Sequence, residues 1–179
     1  MSTTLLSGFL KDEATGTETS HIGDYSITPR TISYTAPAGY IAIIQKLSIA
    51  IEDIGAPDSG KYGNALVLTN GISMGISDVD GLIGNLTNGT PIKTNGDYVR
   101  YAQSVEPISF GAGNTFVKVY HQFESPIILE GDRQEKIFFE LADNFTGLVS
   151  HTFYISGILV KKTTATSRMI YERYLHALE

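Results

Sequence analysis

The stretch YIAIIQKLSIAIE, residues 40–52, decides the fold. Ile41, Ile43, Leu47, Ile49 and Ile51 fall on alternate positions, broken only at Gln45. The opposite face carries Tyr40, Ala42, Ile44, Lys46, Ser48, Ala50 and Glu52. A period of two belongs to a strand, whose successive side chains point to opposite faces. A helix would set Ile41 and Ile43 about 200° apart and scatter the isoleucines around its axis. One face on a core and one largely outside is the pattern of an antiparallel sheet.

The same grammar extends in both directions. RTISYTA (30–36) is rich in β-branched and aromatic residues and stops at Pro37 and Gly39. A long polar loop, 53–64, leads to short strands at ALVLT (65–69) and ISMGIS (72–77), with a hairpin signal at Asn70–Gly71. Turn residues punctuate 82–97, and strands are expected at YVRYAQSV (98–105), TFVKVYHQF (115–123) and EKIFFEL (135–141). LVSHTFYISGILV (148–160) is the last long strand. These elements predict an all-β, antiparallel β-sandwich of about eight strands, jelly-roll-like, over residues 30–162. The two longest strands stand near the two ends of this region, and jelly rolls pair strands distant in sequence. Strands 40–52 and 148–160 are therefore candidates for neighbours.

The flanks differ. Residues 1–29 are rich in Ser, Thr and Gly and read as an extended N-terminal arm, ordered against a neighbour or not at all. Its apolar residues Leu5, Leu6, Phe9 and Leu10 are candidates for docking on another subunit. Residues 163–179, TTATSRMIYERYLHALE, read as a C-terminal amphipathic helix. Tyr171, Tyr174, Leu175 and Leu178 recur at helical spacing, with Ile170 beside them, and Thr166 or Ser167 can cap its start. So short a helix needs a surface. It either folds over its own sandwich or joins a neighbour as a peg. The polar run KKTTATS before it favours the neighbour.

Composition narrows the function. The chain has 179 residues, 42% of them hydrophobic, enough for a packed core without metal or disulfides. There is no cysteine, which removes disulfides, thiolate nucleophiles and thiolate zinc sites. A net charge of −6 with scattered Lys and Arg argues against a nucleic-acid partner. No signal peptide and no transmembrane run is read, so synthesis in the cytoplasm and no membrane partner are expected.

Motifs for chemistry are incomplete. His121 and His151 lie in strands and can meet across a sandwich, but the rest of a cupin-type ligand set is missing. The pairs Asp53/Asp58 and Asp78/Asp80 raise calcium, yet Asp and Gly at these spacings are ordinary turn residues. Sequons at Asn85, Asn88 and Asn144 read as turn chemistry. No nucleophile elbow or phosphate loop is present. The expectation is no enzyme, no catalytic residue, no metal and no cofactor.

Two stretches carry a resemblance. TAPAGYIAIIQKLSIAIED (35–53) resembles the opening strand of small jelly-roll virion structural proteins of tailed bacteriophages, where a Pro-x-Gly turn leads into a long aliphatic strand. ADNFTGLVSHTFYISGILV (142–160) resembles their closing strand. The resemblance implies a virion structural role: a capsid decoration (cement) protein, or another head–tail or tail component. It implies a homo-oligomer, a trimer by analogy, with major capsid or tail proteins as partners, fastened by arm and terminal helix. The alternative is a tail or receptor-binding module whose loops recognise host-surface carbohydrate, with Tyr40, Tyr62, Tyr98, Tyr101 and Tyr120 as stacking faces.

Overall fold

A computed structural model describes residues 3–18, 20–56, 58–87, 89–100, 104–110 and 114–163. Ten strands form two five-stranded antiparallel sheets. In chain order they are β1 (Thr3–Phe9), β2 (Lys11–Asp12), β3 (Arg30–Thr35), β4 (Tyr40–Ile54), β5 (Ile72–Asp78), β6 (Gly81–Asn85), β7 (Ser104–Phe110), β8 (Asn114–Glu130), β9 (Lys136–Leu141) and β10 (Ser150–Lys161). The first sheet runs β1-β10-β4-β8-β7 and the second β2-β3-β9-β5-β6.

Setting aside the two-residue β2 and the marginal β7, the pairing is that of one long ribbon folded back on itself. β1 pairs with β10, β3 with β9, β4 with β8 and β5 with β6, all antiparallel. Rolling that ribbon brings β10 beside β4 and β9 beside β5. Two four-stranded sheets so connected make a jelly roll. The expected neighbours, 40–52 and 148–160, do pair, with Phe153 opposite Ile49 and His151 opposite Ile51.

The core lies between the sheets. From Leu47 to Ile51 the inward face of β4 alternates as its sequence predicts, and Phe153 and Ile155 continue it on β10; before Gln45 the phase slips, so that Ala42 and Ile44, expected on the opposite face, join the core cluster in place of Ile41 and Ile43. Phe139 of the second sheet meets Phe153 with ring centroids 4.7 Å apart. Near Gln45 the register with β8 shifts, and at Ser156/Gly157 the register with β10 shifts. These bulges let the strand turn its aliphatic upper half onto the core. Gly157 is required there, because a Cβ would overlap the Ile43 carbonyl oxygen.

The N-terminal arm is corrected. Residues 3–9 are not an arm for a neighbour; they are an edge strand of the chain's own first sheet, in register with β10 from Thr3↔Val160 to Phe9↔Tyr154. Leu6 and Leu10 point inward and are buried in the chain's own core, while Leu5 and Phe9 face out. Burial of each leucine contributes about 1.5–3 kcal/mol, which gives the segment a reason to dock at home. Residues 20–25 are also tied down, through His21 N–H to the His151 carbonyl (2.7 Å) and Tyr25 N–H to the Asp143 carbonyl (2.9 Å).

Three further expectations shift. ALVLT (65–69) forms no strand and belongs to no sheet; its Leu68 N–H is donated to the Lys93 carbonyl and its Thr69 N–H to Asp143. Residues 95–100 form a 3-10 turn, and β7 starts only at Ser104. The strand expected at 115–123 runs on to Glu130. The C-terminal helix, with Ile170, Tyr171, Tyr174, Leu175 and Leu178, lies outside the described residues. Among the described residues no helix is long and apolar enough to cross a membrane.

Candidate functional site

Two groups of polar and aromatic side chains share β10, one on each face of the first sheet. The inner group is built around His151. Its ring is fully buried, with Nε2 2.7 Å from the Tyr62 hydroxyl and Nδ1 3.2 Å from the His21 carbonyl oxygen. A carbonyl can only accept, so Nδ1 carries the proton and Nε2 accepts from Tyr62. The Tyr98 hydroxyl, 2.7 Å from that of Tyr62, then donates to it. The chain of bonds runs Tyr98 to Tyr62 to His151 to His21, each link satisfied inside the core.

Burial sets the protonation of this group. Desolvation lowers the His151 pKa to about 3, and also lowers that of His21, so both rings are held neutral. Desolvation raises both tyrosines, Tyr62 further through its neighbour Tyr98. Phe145 and Phe153 pack against the His151 ring at 5.1 and 4.6 Å. No accessible surface reaches the imidazole, so the arrangement locks loops onto the core and does not present a base to a substrate.

Two side-chain staples support it. The Asp143 carboxylate accepts the consecutive N–H groups of Thr69, Asn70 and Gly71 at 2.7, 3.0 and 2.6 Å. Gly71 has φ +86°, which lets the loop curl around the carboxylate. Asn95 accepts the Gly63 N–H at 3.0 Å and donates to the Gly63 and Asp58 carbonyls at 2.6 and 3.0 Å. The long loop after β4 is thereby fixed with Tyr62 pointing inward.

The histidines expected to meet do not. His121 and His151 belong to the same sheet, opposite Leu47 and Ile51 of β4 and on its two flanks. Those positions are four residues apart, about 13 Å along the strand. His121 packs edge-on against Phe123 at 4.4 Å, and burial lowers its pKa. The carboxylates suggested for calcium are engaged locally: Asp53 accepts from Ile54 and Asn64, Asp58 from Gly60, and Asp78 pairs with Arg133. Among the described residues no three His, Asp or Glu side chains are grouped to hold a metal.

The outer group lines a groove of about 390 Å³ on the solvent face of the first sheet. Phe9 (β1), Tyr154 (β10), Ser48 (β4) and Tyr120 (β8) form one lateral row across four strands. The next row along the strands is Thr152, Ala50 and Lys118; the preceding one includes Ser156, Lys46 and Gln122. Small side chains thus floor the centre while aromatic rings form the walls. Lys46 Nζ lies 4.2 Å and Lys118 Nζ 4.7 Å from the Tyr120 ring centroid, and Phe9 meets Tyr154 edge-on at 5.3 Å.

Of the tyrosines offered for stacking, Tyr120 lies in this groove. Tyr62 and Tyr98 are core residues, Tyr40 opens β4, and Tyr101 lies outside the described residues. Sequence reasoning missed Tyr154, Lys46 and Lys118, and assigned Phe9 to a docking arm. The signal was present in the alternation: once Phe153 and Ile155 point in, Thr152 and Tyr154 must point out. The fold so defined is an all-β sandwich of jelly-roll topology. Comparison with family models, curated proteins and solved structures returns no match.

Proposed function

We propose that this chain is a non-enzymatic structural subunit that works by assembling with copies of itself, in the manner of a virion component such as a capsid decoration or cement protein. The observation that carries the reading is that an outer strand of each sheet exposes apolar side chains. β1 leaves Leu5 85% and Phe9 44% exposed; β6 leaves Leu82 63% and Ile83 52% exposed. Both are edge strands, one in each sheet. β1 leads directly into β2, so these two edges share one margin and β6 lies on the opposite one. Edge strands with apolar faces invite pairing unless a neighbour covers them. Edges on opposite margins suit a head-to-tail contact that closes into a ring, and a trimer is the smallest such ring.

Sedimentation equilibrium of the full chain tests this. The expected result is an oligomer that a Leu82→Lys/Ile83→Lys variant dissociates without lowering the melting temperature. A wild-type protein that is monomeric at tens of micromolar concentration overturns the reading.

A second reading, recognition of host-surface carbohydrate, is favoured by the outer groove, with its aromatic walls and its hydroxyl-bearing floor. Sugars offer both hydroxyls and apolar C–H faces, and such a groove meets both.

A further inference from the structure

We propose that the C-terminal segment after Lys162 lies on the outer face of its own first sheet, where its apolar stripe (Ile170, Tyr171, Tyr174, Leu175 and Leu178) covers a strip of aliphatic side chains. The strip follows from the register shifts beside Gln45 and Gly157. Beyond those shifts Ala42, Ile44, Ile127 and Leu129 turn into the core, and Leu159 packs against it. Their chain neighbours turn outward. Ile158, Ile43 and Ile128 stand side by side on β10, β4 and β8, with Val160 and Ile41 in the next row. None of these five joins the core cluster. Nearer the middle of the same face the side chains are Lys46, Ser48 and Thr152, so the aliphatic strip is confined to one end.

Place and reach name the occupant. β10 ends at Lys161, and the next residue is pinned at this end of the face. Lys162 donates its backbone N–H to the Gly39 carbonyl (2.8 Å), and its Nζ reaches Glu130 at 3.2 Å and Asp132 at 3.0 Å. Glu130 is the register partner of Ile41, so the chain leaves the sandwich beside the strip itself. From there the two rows lie two to four residues back along β10, about 7–13 Å. The polar run 163–167 spans up to about 17 Å. The chain's own segment therefore arrives unaided, whereas a neighbour must first be brought alongside. Reach thus favours the home sheet over the neighbour that the polar run suggests by itself.

Size and chemistry agree with this. Ile158 and Ile128 stand two strands apart, about 10 Å. Twelve residues of helix, 168–179, extend about 18 Å, enough to cross all three strands. So short a helix needs a surface, and an aliphatic strip on an open sheet face needs a cover. Stripe and strip lose apolar surface to water together. The cover ends at Ile158. Leu5, its partner on β1 and 85% exposed, stays open at the sheet edge for the contact between copies, so the inference is independent of assembly.

The test uses the full chain, which has no cysteine, so an introduced pair reports a single contact. Ile43→Cys is combined in turn with Tyr171→Cys, Tyr174→Cys, Leu175→Cys and Leu178→Cys, and each variant is oxidised at low protein concentration. At least one pair is expected to close within a single chain, read as a faster-running monomer on a non-reducing gel. Ser48→Cys with the same partners should close far less. In parallel, Leu175→Lys/Leu178→Lys should bind a hydrophobic dye several-fold more strongly than wild type and melt about 4 °C lower or more. Crosslinks that appear only as covalent dimers give the strip to a neighbour's segment and overturn docking on the home sheet. Equal crosslinking at Ser48 overturns the placement. Absence of every Ile43 crosslink, or a lysine variant that matches wild type in dye binding and melting, overturns the site.

Discussion

The two faces of the first sheet use the same residue types to opposite ends. Inside, His151 of β10 joins Tyr62 and Tyr98 in a sealed chain of hydrogen bonds, with Phe153 packed on its ring. Outside, Thr152 and Tyr154 of the same strand line an open groove with Lys46, Lys118 and Tyr120. On β10 the two sets differ by one position. What separates a structural histidine from a surface capable of binding is therefore which face of the pleat a residue occupies, and a one-residue slip would exchange them.

The sharpest way to break this comparison is to truncate neighbours on β10. Phe153→Ala should cost about 3–5 kcal/mol by chemical denaturation, since it opens a cavity against Phe139. Tyr154→Ala, one residue on, should cost less than about 1 kcal/mol, as its main ring contact is with Phe9 at the edge. Equal losses would mean that the two faces are not distinct in energy.

Acid is the second probe. His21 and His151 have folded pKa values below the ordinary 6.5, that of His151 about 3. Above about pH 6.5 both are neutral in the folded and unfolded chains, and stability is undiminished. As the pH falls from there toward 3 only the unfolded chain takes up these protons, so stability drains progressively, by something on the order of 4 kcal/mol for His151. Urea melts from pH 8 to pH 4 should show the loss, and His151→Gln should flatten it. A profile that is already flat in the wild-type protein would contradict a sealed histidine.

A third comparison divides the first strand. Leu10 is fully buried and Leu5 is 85% exposed. Leu10→Ala should lose about 2–5 kcal/mol and Leu5→Ala almost nothing. The smallest loss expected among the buried positions is at the hydroxyl that joins the tyrosines to the histidine. Tyr62→Phe leaves His151 Nε2 without its donor and should cost about 1–3 kcal/mol, with the rings still packed.

Much of the sandwich was legible because alternation is local. β4 declares its face from Leu47 to Ile51 but not before Gln45, where the register shift that brings Ala42 and Ile44 inward depends on the partner strands; sequence-distant pairing follows from the jelly-roll pattern. β1 was not legible, because the doublets Leu5–Leu6 and Phe9–Leu10 place an apolar residue on both faces and hide the inward series Leu6, Gly8, Leu10. ALVLT has strand composition, but its backbone groups are claimed by Lys93 and by the Asp143 carboxylate, whose partners lie far along the chain. The same holds for the inner polar chain: Tyr62, Tyr98 and His151 meet only after the roll closes. The outer groove was half legible, since the alternation gives its rows but not which strands stand side by side.

The folded-back ribbon also dictates an order of events. Its tip, the β5–β6 hairpin, joins residues close in sequence, while each pair nearer the open end closes a longer loop: β4 with β8, β3 with β9, and last β1 with β10. Loop-closure entropy rises with each step and rates fall with contact order. During synthesis β1 must therefore wait for β10, made about 140 residues later. Until β10 arrives, Leu6 and Leu10 have no partner strand to bury them, and that apolar pair stays open to other chains for as long as the roll is unfinished.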